Sequence, residues 1–284
     1  MNTRAALTGG LGLLVLATLG GGAWWFQPGP SPAEAGVALA HEVPAGDLPV
    51  PPVPPRVAEG PDYDRCLATL REDPGGAAAF ADAWEATGGG EGAVHCRALA
   101  LISLGQADAG ADLLERLAQS SRAPALARAS IFGQAGQAWL LAGDANRAFG
   151  AATLALTLSP DDPDLLIDRS IASANLERYH DAIDDLGSAL DLDPRRADAL
   201  VFRAAAWRYL NQLELAQDDI DRAITVDPER PEALLERGIL RQQRGDAAGA
   251  RRDWQQAVAL APDTATGDLA QQNLALLEAG PERR

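Results

Sequence analysis

Cys66, His95 and Cys96 are the residues of this 284-residue chain best suited to chemistry. Together they could ligate zinc, but two ligands adjacent in sequence serve tetrahedral geometry poorly. No other cysteine is present, and His41 and His180 stand far from the trio in sequence. In a chain that leaves the reducing cytosol, an isolated cysteine pair reads as a disulfide. The prediction is a Cys66–Cys96 bridge and no metal. Acids are plentiful, 40 Asp and Glu against 24 basic residues, yet none is framed as a catalytic pair. Every basic residue is arginine, so neither a Schiff-base lysine nor a phosphate-loop lysine is available. These residues predict no catalytic group, no cofactor and no small-molecule substrate. A net charge of −16 also repels nucleic-acid backbones and anionic lipid, and weakly favours a basic partner.

A second set of charges recurs with a fixed offset. Arg169, Arg203 and Arg237 are each followed sixteen residues later by an aspartate, at Asp185, Asp219 and Asp253. One period earlier both members are missing together, replaced by Ala135 and Ala151. Partners that come and go as a pair predict a bidentate Arg–carboxylate contact between two helices. The competing reading, a ligand-binding arginine row, ranks behind structural salt bridges.

The elements that position these charges repeat every 34 residues. Prolines fall at Pro160, Pro194, Pro228 and Pro262, dividing the chain into units 129–162, 163–196, 197–230 and 231–264. Each unit carries a small residue at Gly136, Ser170, Ala204 or Gly238. Alanines follow at Ala148, Ala182, Ala216 and Ala250, then at Ala155, Ala189, Ala223 and Ala257. Between the alanines stand Ala152, Leu186, Ile220 and Trp254. Small residues facing large ones let two helices interlock. Turns are expected at Gly143-Asp144 and Gly245-Asp246, and at Arg178-Tyr179 and Asn211-Gln212 in the middle units.

This pattern resembles the tetratricopeptide repeat, whose 34-residue period and small-Ala-Ala-Pro signature are matched at those positions. Trp139 and Trp207 fit the family's aromatic position; Arg241 departs from it. The resemblance implies an all-α, right-handed α-solenoid of stacked helix-turn-helix repeats. It also implies that the first helices line an inner groove for a peptide or amphipathic helix. By position, that groove comprises Ile167, Ile171, Asn175, Val201, Ala205, Arg208, Tyr209, Leu235, Ile239 and Gln242. The lysines by which this family commonly clamps a partner's C-terminal carboxylate are missing.

Residues 62–128 read as two degenerate hairpins of the same kind, holding the cysteine pair. About four extra residues near 120–125 put them out of register. Residues 265–284 form a capping helix and tail. Before all of these, residues 27–61 contain ten prolines, the composition of a semi-rigid linker. Residues 5–26 carry no charge and end on Trp24, Trp25 and Phe26, long enough for a single apolar membrane helix over 1–26. Ala33-Glu34-Ala35 offers a competing cleavage site, which would leave a secreted or periplasmic protein.

The expected function is a non-enzymatic adaptor of the bacterial envelope. It is anchored in the inner membrane with its solenoid in the periplasm, and its partner is another protein. The alternative is a structural envelope protein that self-associates or joins a larger membrane assembly without a peptide ligand.

Overall fold

The computed structural model describes residues 56–279. The anchor expected over 1–26 and most of the linker lie outside them. No helix among the described residues is long and apolar enough to cross a membrane.

The described residues form thirteen α-helices and no strand. They are α1 (Pro61–Glu72), α2 (Pro74–Ala86), α3 (Gly90–Ser103), α4 (Ala107–Ser120), α5 (Ala125–Leu141), α6 (Ala145–Leu158), α7 (Pro163–Asn175), α8 (Tyr179–Leu192), α9 (Ala197–Tyr209), α10 (Leu213–Val226), α11 (Pro231–Gln243), α12 (Ala247–Leu260) and α13 (Ala265–Ala279). Consecutive helices pair as antiparallel hairpins, and α13 covers the last one, as a capping helix should. First helices touch the first helix of the next hairpin at α1–α3, α5–α7, α7–α9, α9–α11 and α11–α13. Second helices make no comparable contact with each other, so the first helices form the inner face of the stack.

The periodic turns have one geometry. Gly105, Gly143, Glu177, Asn211 and Gly245 all adopt left-handed φ, between 56° and 84°. After each one the backbone N–H of the next residue reaches back to close the helix end, as Asp144 N to Trp139 O at 2.9 Å and Arg178 N to Ser173 O at 2.9 Å. That bond ends a helix by satisfying an orphan carbonyl. The second unit therefore turns at Glu177, one residue before the Arg178-Tyr179 expected from sequence. Glycine was the signal, and Glu177 carries none. Where Asp follows glycine it caps the next helix: Asp144 accepts from Arg147 N at 3.0 Å and Asp246 from Gly249 N at 2.8 Å.

Several boundaries shift for local reasons. The break between α1 and α2 is one residue wide, because Asp73 caps α2 through Gly76 N at 2.8 Å and Pro74 suits the first helical position. Helix α5 begins at Ala125, four residues before the repeat register, so the extra residues lengthen it and form a short link. Val57 and Ala58, expected in the linker, pack against the core beside α3.

The facing small and large residues interlock as the pattern requires. In the fourth unit Trp254 is fully buried and its indole N–H donates to the Leu235 carbonyl at 3.1 Å. A Cβ on Gly238 would meet that indole at 2.3 Å, so only glycine fits there.

Candidate functional site: the inner face of the first helices

The charge ladder lies inside each hairpin, first helix to second. Arg169 meets Asp185 at 2.6 and 2.8 Å, Arg203 meets Asp219 at 2.7 and 2.7 Å, and Arg237 meets Asp253 at 2.8 and 3.0 Å. All three are bidentate and all three aspartates are buried. Arg241, where the aromatic is missing, adds a second guanidinium to Asp253 at 2.6 Å. In the first unit Ala135 and Ala151 are buried, and apolar packing replaces the pair. A partner could reach these aspartates only by displacing arginine.

The cysteines are joined by a disulfide linking α1 to α3, with Cα atoms 6.2 Å apart and both residues fully buried. His95 is fully buried in a separate hydrogen-bond chain: the Tyr63 hydroxyl meets Nδ1 at 2.8 Å, and Nε2 meets the Gln134 carbonyl oxygen at 2.7 Å. With Tyr63 donating and Gln134 accepting, the ring is the neutral tautomer that carries its proton on Nε2. Burial pulls its pKa down to about 4, only partly opposed by Gln134, and pushes the Tyr63 hydroxyl up to about 12. Among the described residues no group of three or more His, Cys, Asp and Glu is placed to hold a metal ion.

The ten residues expected to line the groove divide in two. Ile167, Val201 and Leu235, one per unit at the same register, are buried between hairpins, and so is Ala205. For the first three this corrects the expected exposure, because the first helices approach one another closely enough to cover that row. Ile171, Asn175, Arg208, Tyr209, Ile239 and Gln242 keep part of their surface exposed. Asn175 donates to the Ile171 carbonyl at 2.8 Å. Arg208 pairs with Glu236 on the next first helix, and its guanidinium lies 4.5 Å from the centre of the Tyr209 ring. Burial works against the Arg208 charge, but Glu236 outweighs it and holds the pKa above the ordinary arginine value.

Two of these residues, with Ala205, line a pocket. Ile171 and Ala174 of α7, Tyr179 of α8, and Phe202, Ala205 and Tyr209 of α9 surround a cavity of about 20 Å³. Its small walls are alanines. Tyr179 and Tyr209 stack against each other in its wall, ring centres 4.8 Å apart and planes within 8°. Both hydroxyl oxygens are buried; Arg208 lies beside that of Tyr209, and that of Tyr179 has no hydrogen-bond partner among the described residues. Burial pushes Tyr179 up to about 12 and raises Tyr209 as well.

One turn before Ile171 stands Asp168, which sequence reasoning missed. Its carboxylate receives the Gln137 amide of α5 at 3.0 and 3.2 Å and no arginine. Burial pushes its pKa up to about 7; Gln137 opposes that, Asp164 and Asp162 add to it, and Arg196 lowers it. The other acids on this face are matched. Arg196 bridges Asp164 at 2.6 Å and Asp198 at 2.7 Å, Arg230 meets Glu232 at 3.3 Å, and Arg208 takes Glu236. Asp168 belongs to the 34-residue row Gln134, Asp168, Phe202, Glu236, adjacent to the row of Ile167, Val201 and Leu235.

Comparisons with known proteins agree with this architecture. A tetratricopeptide-repeat family model matches residues 209–275. The solved structure of the APC/C hetero-tetramer Cut9–Hcn1 is similar with a TM-score of 0.57 at 15% identity, over 75% of this chain and 42% of that one. TTC0263, a thermophilic tetratricopeptide-repeat protein of Thermus thermophilus, is similar with a TM-score of 0.55 at 19% identity, over 66% of this chain and 99% of that one. No curated protein matches the sequence. Residues 209–275 thus carry tetratricopeptide-repeat sequence, and the described chain has the fold of a tetratricopeptide-repeat solenoid.

Proposed function

We propose that the chain is a non-enzymatic protein–protein interaction scaffold of the bacterial cell envelope, holding a peptide or helix of another protein along its inner face. The observation that carries this reading is the partly exposed row from Ile171 to Gln242, which borders an apolar pocket. Such a face offers apolar contact with polar edges, the combination that peptide recognition uses. Placement in the periplasm, tethered to the inner membrane, is supported by the uncharged stretch at 5–26 and by a buried disulfide suited to an oxidising compartment.

A photo-crosslinking residue placed at Asn175 or Gln242 in native envelopes tests the binding face. Protein adducts are expected at both sites and not at Leu192, an exposed residue of a second helix. Adducts at Leu192 alone would move the binding surface to the outer face. Protease added to intact spheroplasts should cut the solenoid; protection would place it in the cytoplasm.

A further inference from the structure

On the inner face of α7 the Asp168 carboxylate lies toward α5, and Ile171, three positions on, lies toward the pocket between α7, α8 and α9. Three residues separate Asp168 from Ile171, about 4.5 Å along the axis. We propose that this site binds a basic peptide segment, with a small aliphatic side chain in the pocket and a lysine or arginine paired with Asp168. The proposal rests on the protein-binding reading of the inner face and adds the chemistry of the ligand.

Size selects the anchor. A cavity of about 20 Å³ walled by Ala174 and Ala205 has room for roughly one methyl group or one water, so alanine or the tip of valine fits and an aromatic ring does not. Charge selects the neighbour. Asp164, Asp198, Glu232 and Glu236 already have arginines, whereas Asp168 has only the neutral Gln137. Asp162 and Asp164 reinforce the negative potential there, and Arg196 is engaged elsewhere. A cation arriving at Asp168 completes the pairing of this face, while an acidic segment would meet repulsion.

The probe is a random dodecapeptide phage library panned on the full-length protein in mild detergent. Recovered sequences should carry Ala or Val within three residues of Lys or Arg. Synthetic copies should bind Asp168→Asn and Ala174→Leu about tenfold more weakly than wild type. Ala174 is partly exposed, so leucine there blocks the pocket without entering the core. Panning on Asp168→Lys should select Asp or Glu where the basic residue stood, a reversal that misfolding cannot produce. Selection of acidic or aromatic-anchored peptides, or no selection at all, would overturn the proposal. So would equal affinity for both variants, and that result would leave the broader binding role standing on the crosslinks at Asn175 and Gln242.

Discussion

Asp168 and His95 each sit in a setting that disfavours their charge, and the consequences for stability run in opposite directions. His95 has its pKa lowered to about 4 in the fold, so between about pH 4 and 6.5 the unfolded chain binds a proton that the folded chain does not. Stability from His95 therefore falls as pH drops through that window, by on the order of 3 kcal/mol in full. Asp168, raised to about 7, holds a proton in the fold that the unfolded chain has released, so its contribution falls as pH rises from about 4 to 7. The two slopes oppose each other in mildly acidic solution. Asp168→Asn removes one of them, and urea melts should show this variant gaining on wild type as pH climbs from about 4 to 8. A constant difference across that range would mean that Asp168 titrates normally. The charge pairs behave differently, since Arg203→Ala leaves the buried Asp219 with the longer Arg222 contact at 3.4 Å and should cost about 3 kcal/mol. The double change with Asp219→Ala should cost less than the sum of the singles. Strict additivity would show no coupling across the hairpin.

Helix packing gives two glycines opposite values. Gly238 lies against the buried indole of Trp254, and Gly238→Ala should destabilise by about 1–3 kcal/mol through overpacking, despite the better helix propensity of alanine. Gly150, mid-helix in α6 and exposed, has nothing within 4 Å of an added Cβ, so Gly150→Ala should stabilise by about 0.5–1 kcal/mol. Thermal melts of the pair check both signs, and matching signs would contradict the close approach at Gly238. At this scale the sequence was most readable. The proline period, the small residues and the Arg–Asp offset each marked a real contact, because residues that must fit together recur together. Less was legible where a common backbone shape was reached by different residues. Glu177 and Asn211 turn the chain as Gly143 does, with no shared side-chain type to announce it. Register alone points Ile167, Val201 and Leu235 to the groove, and register fixes the face of a helix but not how closely the next helix covers it.

The stack as a whole is held unevenly. Its amino-terminal hairpins lack the Arg–Asp pairs that brace the second, third and fourth repeats, and the Cys66–Cys96 disulfide joins their first helices instead. Closing a loop of about 30 residues should contribute roughly 3–4 kcal/mol, so the Cys66→Ser, Cys96→Ser variant should lose a cooperative unit spanning α1–α4 at lower urea than the rest. Amide exchange that stays uniform from α1 to α13 in this variant would show that the bridge is not needed to hold that end.

The three bidentate pairs, Arg169–Asp185, Arg203–Asp219 and Arg237–Asp253, each close within a single 34-residue unit. A tandem duplication or loss of one unit therefore carries both members with it and strands no buried aspartate. As far as these three pairs are concerned, the array can change length by gene recombination in whole steps, and the buried Arg208–Glu236 pair, which crosses a unit boundary, marks a junction that such a change must preserve.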